Sequence, residues 1–164
     1  MKRIIVIGCP GGGKSTFSIA LGSNTGIPVY HLDMMFWNAD KTTVEKSVFL
    51  ERLAKVMEKD EWIIDGNYAS TMEQRLCACD TVFFLDYPVD VCLDGALKRR
   101  GMKRPDMPWV ETEDDADFLG YIKRFNKEVR PIVIELLKSY EEKDIFVFKS
   151  RNEASEFLEK GRNM

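Results

Sequence analysis

The stretch that most constrains the fold is GCPGGGKS, residues 8–15, which directly follows the apolar run RIIVI. Four of its eight residues are glycine. Glycine reaches backbone angles that other residues avoid and lets another group approach the main chain, at a cost in ordering entropy. The spacing fits G-x-x-x-x-G-K-[ST], in which loop amides and a helix N-terminus cradle phosphates. The predicted nucleotide-binding residues are Gly8, Pro10, Gly11, Gly12, Gly13, Lys14, Ser15 and Thr16.

The end of this loop carries the groups expected to meet a nucleoside triphosphate. Lys14 is expected to reach the outer phosphates of ATP, and Ser15 to ligate Mg²⁺. A flexible glycine-rich loop is the alternative. The complete match, with a strand-like segment before it and a helix-like segment after it, favours the nucleotide site.

Length and charge limit the classes of protein to consider. The 164 residues predict one domain, residues 1–164, that buries a sizeable core. The net charge of −3 argues against a surface that grips nucleic acid nonspecifically. No apolar stretch approaches the length of a membrane span, and MKRIIVIG leads into the loop rather than a cleavage site. We therefore expect a cytoplasmic protein that does not bind a membrane.

The cysteines do not indicate a zinc site. Their spacing contains no C-x-x-C pair, and His31 is the single histidine, so the usual zinc ligand sets are missing. We expect four reduced, mostly packed thiols: Cys9, Cys77, Cys79 and Cys92.

Short apolar runs alternate with helical stretches along the chain, which predicts an α/β fold with a central five-stranded parallel sheet flanked by helices. The predicted strands cover residues 3–7, 29–32, 62–66, 81–86 and 144–149. The predicted helices cover residues 14–22, 43–58, 88–100, 115–140 and 151–161, with Pro88 in a first turn and a kink or restart at Pro131.

Aspartates follow three of these strands, at the sheet edge where ligands of such folds bind. Asp65 is predicted to support Mg²⁺, although it could equally shape a turn. Asp33 is predicted to orient an acceptor hydroxyl or to support the metal indirectly. The alternative is a helix cap, with Phe36 and Trp37 in the core. Asp86 is interpreted as an N-cap or turn residue.

The segment after the third predicted strand supplies further acceptor candidates. Tyr68 is placed to stack on a ring. Arg75 is placed either to contact an acceptor phosphate or to pair with an acid such as Glu73. The predicted acceptor-binding residues are Asp33, Phe36, Trp37, Asn67, Tyr68 and Arg75.

Basic residues cluster in LKRRGMKRPD, residues 97–106, immediately before the acidic ETEDDAD. By itself such a run is as consistent with a solvated face as with a site. Arg124, Lys127 and Arg130 recur every third residue, so they can share one side of a helix. Together the two groups are predicted to enclose a polyphosphate from the side opposite the loop.

In sequence order, GCPGGGKS, VYHLDMMFW, EWIIDGNYASTMEQRL, TVFFLDYP and KRRGMKRPD resemble the DNA topology modulation proteins, which are similar to adenylate kinases and other small P-loop kinases. The resemblance runs from residue 3 to about residue 158. It implies a P-loop fold of the nucleoside-monophosphate-kinase type, an ATP site at residues 8–16 and a short lid at about residues 98–115.

The resemblance also implies roles for single residues. It implies that Asp65 supports Mg²⁺, and that Arg124 and Arg130 stand where such kinases carry arginines after the lid. Related sequences often place an arginine over the adenine where this chain has Gly95, and DGNYA replaces the DGFPR of adenylate kinases, which argues against AMP as the acceptor. The lid arginines expected to stabilise the transferred group are Arg99, Arg100 and Arg104.

The predicted function is transfer of the γ-phosphoryl group of ATP to a small nucleotide- or nucleoside-like acceptor. One alternative is a nucleotide-binding regulatory protein associated with DNA topology, and another is a simple ATPase. The sequence indicates no oligomeric state. The predicted metal ligands are Ser15 and Asp65, and the predicted catalytic residues are Lys14, Asp33, Arg99, Arg104, Arg124 and Arg130.

Overall fold

A computed structural model of the chain describes residues 1–112 and 115–162. Its centre is one sheet of five parallel strands in the order β2-β3-β1-β4-β5. This confirms the predicted α/β fold and its five-stranded parallel sheet. The strands are β1 (Arg3–Gly8), β2 (Val29–His31), β3 (Trp62–Asp65), β4 (Thr81–Leu85) and β5 (Asp144–Phe148).

Helices cover both faces of this sheet. Phe17 of the first helix packs on one face, and Leu53 of the third packs on the other. Parallel strands buried on both faces need continuous apolar runs, which is why residues 4–7 and 82–85 are almost completely buried. The helices are α1 (Lys14–Thr25), α2 (Leu32–Phe36), α3 (Lys46–Met57), α4 (Ala69–Ala78), α5 (Val89–Lys98), α6 (Ala116–Glu128), α7 (Arg130–Lys138) and α8 (Arg151–Arg162).

Several helix boundaries differ from the sequence prediction. Helix α1 continues past Gly22 to Thr25 and ends at Gly26, which adopts the left-handed conformation and donates its N–H to the Gly22 carbonyl (2.8 Å). Helices α2 and α4 were not predicted, since both are short and follow their strands almost directly. Pro88 precedes α5 as its N-cap instead of lying in its first turn.

The predicted interruption near Pro131 is confirmed. Helix α6 ends at Glu128 and α7 begins at Arg130, with Pro131 in its first turn. Proline fits there because the first amides of a helix have no intrahelical partner. Residues 124, 127 and 130 therefore do not share one continuous helix.

The carboxyl ends of β1, β2 and β3 bring three loops to one edge of the sheet, beneath the segment that follows α5. Of the predicted lid, residues 99–112 form no helix or strand, and residues 113–114 lie outside the described residues. No helix in the described part of the chain is both long and apolar enough to cross a membrane. This edge of the sheet holds a large cleft.

Candidate active site

The cleft, of about 1330 Å³, lies between the phosphate loop and the segment after α5. In the loop, Gly8, Gly11 and Gly13 all have positive φ angles (150°, 81° and 93°). A Cβ atom on Gly11 would lie 2.0 Å from the carbonyl oxygen of Cys92 in α5. The loop therefore needs glycine at this position both for its turn and for its contact with α5.

Lys14 lies inside the loop that precedes it. Its Nζ donates to the carbonyl oxygens of Gly8 (2.9 Å) and Cys9 (3.3 Å). Burial lowers the pKa of Lys14, and the carboxylates of Asp33 and Asp65 oppose that shift. A partly buried cation thus stands within electrostatic reach of two aspartates.

Asn67 joins the phosphate loop to the loop that follows β3. Its Oδ1 accepts the Gly8 N–H (3.1 Å), and its Nδ2 donates to the Gly8 carbonyl (2.7 Å). The side-chain amide thus pairs with both backbone groups of the glycine that opens the motif. Asn67 lines the cleft, as predicted for an acceptor residue, but its polar atoms anchor the phosphate loop.

Arg75 does not reach the cleft. Its side chain is completely buried and donates to the carbonyls of Gly66 (3.0 Å), Asn67 and Tyr68 (3.2 Å), and to the Thr71 hydroxyl (3.2 Å). Both sequence interpretations, an acceptor phosphate contact and an ion pair with Glu73, are therefore wrong. The guanidinium instead holds a turn in which Tyr68 has a φ of 35°, unusual for a residue with a side chain.

Asp33 lies in the first turn of α2, and its Oδ1 accepts a 2.5 Å hydrogen bond from the Tyr68 hydroxyl. The capping alternative is not supported, because His31 is the N-cap residue. Burial raises the pKa of Asp33, against the opposing effects of the Tyr68 hydrogen bond and the Lys14 charge. Phe36 packs edge-on against Phe49 and Tyr68, so it supports the wall of the cleft from the core.

Asp65 has a partner that sequence reasoning missed. His31 Nδ1 lies 2.7 Å from Asp65 Oδ2. Burial disfavours the protonated ring, but the hydrogen bond and charge of Asp65 outweigh it and raise the pKa of His31. The two residues face each other in the β2–β3 register, so aligning the two strand ends would have revealed the pair.

Two tryptophans line the cleft and contact each other. The rings of Trp37 and Trp109 meet edge to face, with centroids 5.0 Å apart and an interplanar angle of 84°. Trp37 follows α2, whereas Trp109 belongs to the segment after α5. Sequence reasoning gave Trp109 no role. The sequence feature that could have indicated Trp109 is a large aromatic residue between a basic and an acidic run.

The lid arginines line the cleft but are paired with acids. Arg99 Nε lies 3.7 Å from a Glu111 carboxylate oxygen, and Arg104 lies 3.5 Å from Glu111 and 3.6 Å from Asp106. Burial, together with the neighbouring charge of Arg104, lowers the pKa of Arg99. Arg100 also lines the cleft. The basic run is thus partly neutralised by acids of the same segment.

Arg124 and Arg130 are not among the residues that line the cleft. Arg130 makes a two-pronged contact with Asp86 (2.6 and 2.8 Å), and Lys149 pairs with the same carboxylate. Arg124 lies 3.5 Å from Glu128 on the same helix. That these arginines enclose a polyphosphate stays a prediction; in this structure the helix interruption at residue 129 separates them, and each pairs with an acid.

Asp86 is also not the predicted helix cap. It is buried at the end of β4, while Pro88 occupies the N-cap position of α5. Burial opposes ionisation, but the hydrogen bonds from Arg130 and Lys149 lower the pKa of Asp86. It therefore serves as a buried anion that pairs with two partly exposed cations.

Gly95 is required by the contact of α5 with the phosphate loop. A Cβ atom there would lie 2.1 Å from the Gly11 carbonyl oxygen, so an arginine does not fit at this position. Another arginine stands beside it: Arg151, at the start of α8, donates to the same Gly11 oxygen (3.1 Å) and lies over the Tyr87 ring. Arg151 lines the cleft and was missed by sequence reasoning.

The oxygen ligands that the cleft offers suit a metal ion that is also bound by substrate phosphates. The described residues contain no cluster of three or more His, Cys, Asp or Glu that could hold a metal ion. Ser15 and Asp65 nevertheless both line the cleft. Mg²⁺ in phosphoryl-transfer sites is bound by one or two protein oxygens together with substrate phosphates, so this pair fits that role.

Solved structures that are similar to this chain include shikimate kinases. They include shikimate kinase from Bacteroides thetaiotaomicron (18% identity, 99% of this chain and 97% of that chain, TM-score 0.56). Shikimate kinase from Acinetobacter baumannii in complex with shikimate is 16% identical, over 98% of this chain and 90% of that chain, with a TM-score of 0.65. Shikimate kinase from Aquifex aeolicus is 22% identical, over 96% of this chain and 92% of that chain, with a TM-score of 0.55. The chain has a shikimate-kinase-like P-loop fold.

No protein-family model and no curated protein matches the chain. The resemblance to DNA topology modulation proteins therefore stays a prediction. What the solved neighbours add is the fold, over almost the whole chain.

Proposed function

We propose that this chain, as one domain, transfers the γ-phosphoryl group of ATP to a hydroxyl of a small-molecule acceptor. The observation that carries the proposal is a cleft lined by the phosphate loop, by Lys14 and Asp33, and by an aromatic wall. Phosphoryl transfer needs positioning and charge neutralisation more than covalent chemistry by the protein. Both requirements are met by residues that line this cleft.

The donor would bind in the loop at residues 8–16. Amides of the loop and of the start of α1 would hold its phosphates, and Lys14 would exchange its two carbonyl contacts for phosphate oxygens. Arg151 lies at the edge of the loop, where it can contact the nucleoside part. Ser15 and Asp65 would hold Mg²⁺, which neutralises phosphate charge when bound.

Asp33 would orient the acceptor and receive its proton. A bond forms between the acceptor hydroxyl oxygen and the γ-phosphorus as the bond from that phosphorus to the β–γ bridging oxygen breaks. The hydroxyl proton passes to Asp33, and ADP leaves. Because burial raises the pKa of Asp33, this carboxylate is a better base than an exposed one. Tyr68 holds it in place through their hydrogen bond.

The lid arginines would neutralise charge on the transferred group. Arg99 and Arg104 are tied to Glu111 and Asp106, and they would exchange these acids for phosphate oxygens when the lid closes. Arg100 lies next to them along the same cleft. Removing one such contact typically costs about 3 kcal/mol in the barrier.

The test compares Lys14→Met with Lys55→Met, whose lysine is exposed and pairs with Glu51 on α3. Binding of a fluorescent ATP analogue and release of ADP are measured with Mg²⁺ and a panel of alcohols. We expect Lys14→Met to reduce ADP release roughly a hundredfold, and Lys55→Met to match the wild type. Equal activity in the two variants would refute the proposed donor site.

The alternatives predict other outcomes in the same assay. A simple ATPase would release ADP at a rate that no acceptor changes. A DNA-associated regulatory protein would retain duplex DNA at low salt, with affinity falling steeply as salt rises, and would show no acceptor-dependent ADP release.

A further inference from the structure

We infer that the acceptor is an uncharged nucleoside, recognised through its base by a wall formed by Asp33, Trp37, Tyr68, Asp106 and Trp109. This inference rests on the proposed kinase function and specifies its substrate class. We call these five residues the acceptor wall. All of them line the cleft.

The aromatic part of the acceptor wall suits a flat ring. Trp37 contacts Trp109 on one side and Phe36 on the other, both edge to face. Stacking of a base on an aromatic side chain is sequence-tolerant and favourable for every base. A saturated sugar or a small aliphatic alcohol would gain much less from these rings.

The charged part of the acceptor wall disfavours an anion. Asp33 and Asp106 both belong to it, and burial together with the charge of Asp106 raises the pKa of Asp33. A phosphate or carboxylate on the acceptor would enter a region that already carries negative charge. A neutral nucleoside avoids this repulsion and can still donate a hydroxyl to Asp33.

Two arginines close to this wall already have partners, and one lysine beside it is exposed. Arg75, the natural candidate for an acceptor phosphate, is buried among backbone carbonyls. Arg104 is paired with Asp106 and Glu111. Lys41 is exposed at the mouth of the cleft. None of the five residues of the acceptor wall is a cation, so an anionic acceptor would compete with the transferred phosphoryl group for the lid arginines.

The experiment measures ADP release with ATP and Mg²⁺ against matched acceptors: purine and pyrimidine nucleosides, their 5′-monophosphates, and shikimate as a carboxylate-bearing alcohol. We expect at least one nucleoside to stimulate release with a kcat/KM roughly tenfold or more above that of its monophosphate. Shikimate should not stimulate release. A monophosphate or shikimate as the best substrate would overturn the inference.

Two variants test the wall itself. Trp37→Ala should raise the KM for the nucleoside roughly tenfold with a smaller change in kcat, and Trp37→Phe should restore much of the loss. Ile132→Ala, at an exposed position on α7, is the control and should match the wild type. An unchanged KM in Trp37→Ala would refute base recognition by the wall.

Failure of this inference can be distinguished from failure of the kinase proposal. If the ATP analogue binds and another alcohol stimulates ADP release while every nucleoside is inert, the nucleoside inference is wrong and the kinase proposal stands. If the ATP analogue does not bind in wild-type protein, the kinase proposal fails, and the inference fails with it.

Discussion

Replacing Asn67 by aspartate exchanges one NH₂ group for an oxygen at the position that ties two loops together. In the wild type, Oδ1 accepts the Gly8 N–H and Nδ2 donates to the Gly8 carbonyl over 2.7 Å. In Asn67→Asp the first bond survives, whereas the second becomes a contact between two acceptors. The Gly8 carbonyl keeps the Lys14 ammonium as a donor, but placing a carboxylate oxygen against this carbonyl in place of the NH₂ group costs about 2 kcal/mol.

This cost falls on the loop that we propose holds ATP. If the loop of the variant relaxes in the free protein, it must regain the wild-type shape to bind ATP. A cost of about 2 kcal/mol then corresponds to a roughly 30-fold rise in the Kd for ATP. The added charge near the phosphates acts in the same direction. Titration with a fluorescent ATP analogue measures the change, and urea unfolding reports the accompanying loss of stability.

The control for Asn67→Asp is Asn38→Asp, which makes the same exchange at an exposed asparagine bonded to the Thr42 hydroxyl. We expect its Kd for ATP to stay within about twofold of the wild type. If the two variants bind the analogue equally well, the Asn67 contact does not shape the nucleotide site, and the reasoning is refuted.

Three further predictions follow from side-chain contacts of arginine and aspartate residues. Arg75→Lys should lower the free energy of unfolding by about 3 kcal/mol in urea, because an ammonium cannot reach the four acceptors of the guanidinium. Arg151→Ala should raise the Kd for ATP about fivefold through loss of the Gly11 contact, with kcat unchanged. Asp86→Asn should lower stability by about 2 kcal/mol at neutral pH. Since the folded-state pKa of Asp86 lies below its unfolded value, about 3.9, this difference should vanish as acid protonates the wild-type carboxylate. Unfolding measured from pH 7 to pH 2 checks the last prediction, and a constant difference would contradict it.

The acceptor side of the site was predictable only in part. Asp33, Trp37 and Tyr68 were expected there because they follow strands of a parallel sheet, and they do line the cleft. Arg75 was expected there for the same reason, but the buried turn after β3 takes all of its observed hydrogen bonds. The local sequence does not distinguish an arginine that binds a ligand from an arginine that stabilises a loop.

The arginines beyond the lid show a second limit. A spacing of three residues places side chains on one helical face only if one helix continues through them. Here the helix is interrupted at Val129, and Asp86, which follows β4, pairs with Arg130. The pairing spans 44 residues of sequence, so no local pattern reports it.

By itself, the sequence determined the phosphate loop and the parallel sheet. Glycine spacing, apolar runs and strand-end aspartates are local features that predict a loop, a strand or a strand end. Each can be recognised in the sequence without knowing what packs against it. Tertiary structure alone decided which charged groups remain available for a ligand. The pairs His31–Asp65, Asn67–Gly8, Arg151–Gly11 and Trp37–Trp109 join residues distant along the chain. Their partners are set by how elements pack, because a charge or ring binds whichever complementary group the fold brings within reach.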